Sequence, residues 1–188
     1  GKGGTARSSS KSGTSTREVA AASEYQYFEF QAIDRPLNEQ EMAELRSIST
    51  RATITPTSFI NVYHFGDLKA APRRLLREYF DAFLYVANWG SHWLVFRIPA
   101  GAMTDTLAEY RSAESFTVER HGSHAVLDFC SEVEPERWEE GEGRLGGLVS
   151  LRADILHGDY RAPYLGWLLD VQEGVIEEGV EPPVPPGL

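Results

Sequence analysis

Five histidines and a scatter of carboxylates are the residues whose chemistry comes into question first. His121 and His124 stand three apart, but they flank a predicted hairpin turn, where that spacing sets no common face as it would on a helix. Asp128 follows His124 at even spacing along a predicted strand and so shares its face, which gives two ligands where zinc ordinarily takes three or four. The sequence therefore implies no metal site. Nucleophilic catalysis needs a nucleophile beside a base that a third group holds. The chain has no Gly-x-Ser-x-Gly elbow, and its one cysteine, Cys130, falls in an alternating strand pattern that predicts burial. Glycines from Gly141 to Gly147 precede a helical pattern, yet they lack both the Gly-Lys-Ser/Thr ending and the G-x-G-x-x-G order of phosphate-cradling loops. They read as a flexible linker into the helix, and no cofactor is implied.

What remains is a set of polar residues where strands and helices end. Asp34 and Arg35 sit in Ala32-Ile-Asp-Arg-Pro36, His64 and Asp67 in Tyr63-His-Phe-Gly-Asp67, and His157 in His157-Gly-Asp-Tyr-Arg161. A charged group beside Gly or Pro is how loops on a rigid scaffold present binding and catalytic groups. These five are the catalytic candidates, and an enzyme of hydrolase type requires them to converge. Each also has a structural reading: Asp34 as a turn cap with Arg35 its exposed neighbour, His157 as a cation favoured at a helix C-terminus. The binding candidates are Tyr63, Trp89, Asp159, Tyr160 and Arg161. Tyr25, Tyr27, Tyr63, Trp89, Trp93, Trp138 and Trp167 make a heavy aromatic load, and Tyr and Trp are favoured at interface hot spots. The same rings could also fill a two-layer core.

The elements that must position these residues follow from hydrophobic periodicity. Order begins near Glu24. Phe28, Phe30 and Ala32 alternate with Tyr27, Glu29 and Gln31, which predicts a strand with one buried face. Asn38 with Glu41 three residues on forms a capping box ahead of a helix carrying Met42, Leu45 and Ile48. Residues 51–56 read as an irregular edge, and 58–65 as a second strand. Leu75, Leu76, Tyr79, Phe80, Phe83, Leu84 and Ala87 then recur at helical spacing, so the pattern predicts one long helix from Pro72 to an exit at Gly90, with Trp89 at its end. Residues 92–98 read as a buried strand and 103–110 as a short helix. Two hairpin arms, 116–120 and 124–130, meet at Gly122, and two C-terminal helices follow. These elements predict an α+β fold, a mixed or antiparallel sheet with helices packed on it, with ferredoxin-like topology as the first choice.

The chain has 188 residues and a formal net charge of −10. Residues 1–23 carry Lys2, Arg7, Lys11 and Arg17 against Glu18, so this Gly/Ser/Thr-rich stretch is about +3 and the rest about −13. With almost no large apolar residue it reads as a disordered basic linker. Residues 24–175 then form the domain, and 176–188 an acidic, Pro-rich C-terminal linker. An acidic body repels phosphates, which argues against nucleic acid for the folded part. The sequence lacks any apolar run of about 18 residues, so no membrane span is expected. A lone cysteine suits a reducing, cytoplasmic setting. The first residue is Gly and the last run is Pro-rich, which suggests a piece of a longer protein.

Three phrases are distinctive: Tyr27-Phe-Glu-Phe-Gln-Ala-Ile-Asp-Arg-Pro-Leu37, the Thr-rich stretch from Leu45 to Ser58, and Tyr79-Phe-Asp-Ala-Phe-Leu-Tyr-Val-Ala-Asn-Trp-Gly90. In these the chain, from about Tyr25 to its end, resembles conserved bacterial proteins of unknown function that are associated with SWIM-type zinc-finger proteins. That resemblance brings no activity and no catalytic residues. The Cys-x-Cys and Cys-x-His pairs of a SWIM finger are missing from this sequence. The leading expectation is a non-catalytic module that binds a protein partner through an aromatic-bearing face, with the hydrolase-like enzyme as the alternative.

Overall fold

The computed structural model describes residues 24–134, 139–176 and 181–188. The linker expected over 1–23, Trp138 and part of the C-terminal linker fall outside these. Seven strands form one antiparallel sheet in the order β2-β3-β1-β4-β5-β7-β6. The strands are β1 (Gln26–Gln31), β2 (Thr53–Thr55), β3 (Ser58–Tyr63), β4 (Ala82–Ala87), β5 (Ser91–Pro99), β6 (Phe116–His121) and β7 (His124–Glu132). Between and after them run α1 (Glu39–Ile48), α2 (Pro72–Tyr79), α3 (Ala102–Ala108), α4 (Arg144–Leu156) and α5 (Arg161–Gln172).

The first six elements, β1-α1-β2-β3-α2-β4, make a ferredoxin-like unit. β3 pairs with both β2 and β1, β1 also pairs with β4, and both helices lie on one face. β5 then leaves β4 by a hairpin and extends the sheet, and β7 lies between β5 and β6. The added half brings α3, α4 and α5, which cover the opposite face.

Two of the sequence expectations change here, and for one reason. The stripe from Leu75 to Ala87 is two elements: α2 ends at Tyr79 and Ala82-Phe-Leu-Tyr-Val-Ala87 is strand β4. A strand buried on both faces shows a continuous apolar run, and such a run satisfies helical spacing as readily as strand spacing. β1 likewise is central. Tyr27 and Glu29 are buried along with Phe28 and Phe30, so neither face is open. Residues 53–55, expected to be irregular, form the short edge strand β2, which suits a Thr-rich segment stopped by Pro56.

The capping box is present: the Asn38 side chain accepts from Glu41 N–H, and Glu41 accepts from Asn38 N–H. Each face of the sheet has its own core. On the α1/α2 side Phe30 stacks on Phe83 at 4.4 Å and meets Phe59 and Phe80 edge-on or tilted. Such ring pairs add about 0.5–1.5 kcal/mol each beyond area burial. On the other side Leu84, Phe96, Ile98, Phe116 and Leu127 meet Leu145 and Ile155 of α4 and Trp167 of α5. Residues 181–188, expected to belong to a linker, pack instead: Pro182 and Pro185 are buried, and the Tyr164 hydroxyl donates to Glu181.

Candidate functional site

The register of β1 defines two ends of the sheet. Gln31 marks one end, facing Ser58 and Ala82; Gln26 marks the other, facing Tyr63 and Ala87. The five catalytic candidates divide between these ends and do not converge.

At the Gln31 end, charged groups hold the chain where it leaves β1. Asp81, buried at the start of β4, accepts from the N–H groups of Ile33 and Asp34 at 2.6 and 2.8 Å and from Arg97 at 2.8 Å. Burial works to raise its carboxyl, but these hydrogen bonds outweigh it and hold Asp81 below the usual carboxylate range. Arg152, buried in α4, donates to both carboxylate oxygens of Asp34 and to the Arg97 carbonyl. Asp34 is thereby committed to an ion pair. Arg35 turns away from it and pairs with Glu41 of the capping box.

The α4–α5 turn holds four more candidates, again in local pairs. His157 Nδ1 donates to the Ala153 carbonyl at the C-terminus of α4. Asp159 takes the guanidinium of Arg161 two residues on, and Tyr160 packs against Tyr110. The remaining candidates lie at the Gln26 end. Tyr63 accepts from Asn61, the His64 ring lies 6.0 Å from that of Tyr25, and Asp67 binds the N–H of Leu68 in its own turn.

This Gln26 end carries the exposed aromatic surface. Trp89, which the sequence placed at a helix exit, instead tips the β4–β5 hairpin and is 48% exposed. Phe65, just past β3, is 80% exposed. Only β1 separates β3 from β4, so the two tips are spaced by about two strand widths, roughly 10 Å. Exposed Val133 joins them, its N–H bonded to the Gly90 carbonyl beside Trp89. Most of the other aromatic candidates belong to the core: Tyr25, Tyr27 and Trp167 are buried.

Among the clefts beside this end, two lie on opposite faces of the sheet. On the α2 face a cleft of about 480 Å³ lies beneath the β3–α2 connection, walled by Phe28, Tyr85 and Trp93. The Tyr85 hydroxyl donates to Gln26, and burial together with the carboxylates of Asp67, Glu132 and Glu24 pushes it up to about 12. Lys69 lines the same cleft, and Arg73 lies over the Trp93 ring. Trp93 also donates its indole N–H to Asp128, which pairs with Arg73 at 2.9 Å. The other Asp128 oxygen is buried with no hydrogen-bond partner among the described residues, and burial raises this carboxyl above its ordinary range. Asp128 is thus held by Trp93 and Arg73, while His124 bonds the Ser123 hydroxyl. Among the described residues no three His, Cys, Asp or Glu side chains are placed to hold a metal ion.

On the other face a cleft of about 320 Å³ lies between the sheet and helices α4 and α5, lined mainly by Leu84, Leu94, Phe129, Leu148, Leu165 and Leu169. His92 and Arg144 stand at it. Phe65, Tyr85, His92 and Arg144 are not among the candidates that residue type and spacing single out. Phe65 carried a signal, an aromatic directly before a Gly-Asp turn, but the β-rich run around it predicted a strand residue. His92 and Tyr85 take their meaning from partners 47 and 59 residues away, and Arg144 from the Glu139 carboxylate it shares with His92, which spacing does not show.

Among the described residues, no helix is long and apolar enough to cross a membrane. Compared with protein-family models, with curated proteins and with solved structures, the chain finds no match.

Proposed function

We propose that this chain is a non-catalytic protein-interaction module that docks a partner protein on the Gln26 end of its sheet. One observation carries the reading: Phe65 and Trp89, the two most exposed aromatic side chains among the described residues, project from neighbouring tips of the same end. Large aromatic rings left in water are unfavourable for a monomer and are the residues that dominate protein interfaces. Glu24, Asp67 and Glu132 act on the neighbouring Tyr85 hydroxyl, and Arg51 and Lys69 line the cleft beside Phe65; the carboxylates outnumber these two cations, so a partner with a basic surface complements this end. The acidity of the body, about −13 outside residues 1–23, disfavours a phosphate backbone as that partner.

The test replaces Phe65 with a photo-crosslinking phenylalanine analogue and identifies the protein joined to it. Phe65→Ser/Trp89→Ser is compared with the parent at equal melting temperature. The reading requires that the crosslinked protein bind the parent in purified form, with affinity that falls as salt rises, and that the double variant lose at least tenfold. Equal binding by parent and double variant overturns it.

A further inference from the structure

The cleft between the sheet and helices α4 and α5 has the chemistry of a small-molecule site, separate from the aromatic rim. Its lining is mainly aliphatic or aromatic, with Ser115 and Ser131 also at the wall, and its volume, about 320 Å³, is roughly twice that of an engineered apolar cavity that takes up benzene. Ligand pockets combine such walls with a few convergent polar groups. Here those groups are His92, at the start of β5, and Arg144, the first residue of α4.

The two converge on one carboxylate. Glu139 Oε2 lies 2.9 Å from His92 Nε2 and 3.1 Å from Arg144 Nη1. His92 Nδ1 lies 3.0 Å from the Gly90 carbonyl, so both ring nitrogens face acceptor oxygens. The hydrogen bonds from His92 and Arg144 also hold the Glu139 carboxyl below its ordinary range. Glu139 itself stands outside the apolar lining and comes from the loop before α4, so it occupies the polar position without filling the cleft.

We infer that the α4/α5 cleft binds a small amphipathic carboxylate, its aliphatic chain among Leu94, Leu148, Leu165 and Leu169 and its carboxylate between His92 and Arg144, in the position that the Glu139 carboxylate holds. Glu139 is then an internal competitor. That role makes a prediction opposite to the one for an ordinary stabilising ion pair: removing its charge strengthens binding.

The experiment titrates the full chain with decanoate, and with decylamine as the control of opposite charge, by calorimetry. Methyl NMR of the leucines locates the ligand. Decanoate is expected to bind saturably and shift the methyls of Leu148 and Leu169. Glu139→Gln is expected to bind it about tenfold more tightly, and Arg144→Gln about tenfold more weakly, the scale of one charge-assisted hydrogen bond. Both substitutions are at surface positions, and a melting curve for each establishes folding. Failure of Glu139→Gln to bind decanoate at millimolar concentration overturns the inference. So does equal affinity for decylamine, or a hydrophobic peptide with a free C-terminal carboxylate binding tenfold more tightly than decanoate.

Discussion

Arg152 holds Asp34 across 118 residues of chain, with both guanidinium Nη groups on the two carboxylate oxygens at 3.0 and 2.8 Å. Arg152 is 5% exposed in its side chain, whereas Asp34 is 50% exposed, so the cation has given up most of its water and the anion has not. Breaking such a pair from the exposed side strands the buried charge. Asp34→Ala is expected to cost about 2–3 kcal/mol, near the low end for buried pairs because one partner is solvated. Asp34→Ala with Arg152→Met is expected to recover most of that loss, since the stranded charge is then gone. Urea unfolding of the three variants checks this; a double variant no more stable than the single one would show that Arg152 acts through packing alone.

Asp170 in α5 performs a related task with neutral donors. It is fully buried and accepts from the N–H groups of Glu114 and Ser115 and from the Ser115 hydroxyl, fixing the turn into β6. Burial works to raise its carboxyl, but these donors prevail and hold it below the ordinary value of 3.8. The folded state therefore binds this proton less tightly than the unfolded state. Its stabilisation is complete above the ordinary carboxylate range and is lost as pH falls through the depressed folded value. Asp170→Asn is expected to flatten the acid limb of a stability-against-pH curve and to cost about 2–4 kcal/mol at pH 7. An unchanged acid limb would assign the acid sensitivity to other carboxylates.

How far the sequence could be read depended on the range of the interaction concerned. The Asn38–Glu41 capping box and the Gly122 turn were legible because all their partners lie within a few residues. The α+β class also followed from element order; the ferredoxin-like first choice agrees with the first six elements, although β2 and β4, two of the four strands of that unit, were not read as strands. β4 was lost inside an apparent helix because a strand covered on both faces has no polar alternation to reveal its period. Candidate residues were found at the right kind of place, strand exits, yet their partners were not. Asp34 looked available because Arg152 lies in an element whose position relative to β1 depends on the whole sheet. Trp89 was recognised as a binding candidate for its residue type alone; its exposure follows from being at a hairpin tip, which required β4 to be seen.

Cys130 lies on the same face of β7 as Asp128, two residues away. Burial and then the Asp128 carboxylate push its thiol up to about 11. Only the thiolate attacks an alkylating reagent, so at pH 8 the folded protein is expected to react with iodoacetamide about a hundredfold more slowly than the same chain in urea. Asp128→Asn removes the neighbouring negative charge and is expected to speed the reaction of the folded form several-fold. Mass spectrometry of timed samples reads both rates. Folded and unfolded chains reacting alike would mean that the thiol is not shielded.

The glycines before and within α4 separate two uses of the same residue. They were expected to form a flexible linker, but Gly141 is packed directly on the central strand. A Cβ built there would lie 2.3 Å from Cδ1 and 2.5 Å from Cγ of Tyr27, whose ring is buried and cannot withdraw. Its N–H also donates to the Tyr25 hydroxyl at 3.1 Å. Gly141→Ala is therefore expected to cost about 2–3 kcal/mol through overpacking. Gly147, inside the first turns of α4, meets nothing within 4 Å of an added Cβ. There alanine restricts the unfolded chain without a clash, and Gly147→Ala is expected to stabilise by about 0.5–1 kcal/mol, a rise of about 2–4 °C in Tm for a domain of this size. Calorimetric melting of the two variants tests the contrast, because substitutions of identical chemistry six residues apart must move Tm in opposite directions. A rise in Tm at both positions would mean that Gly141 does not press on Tyr27.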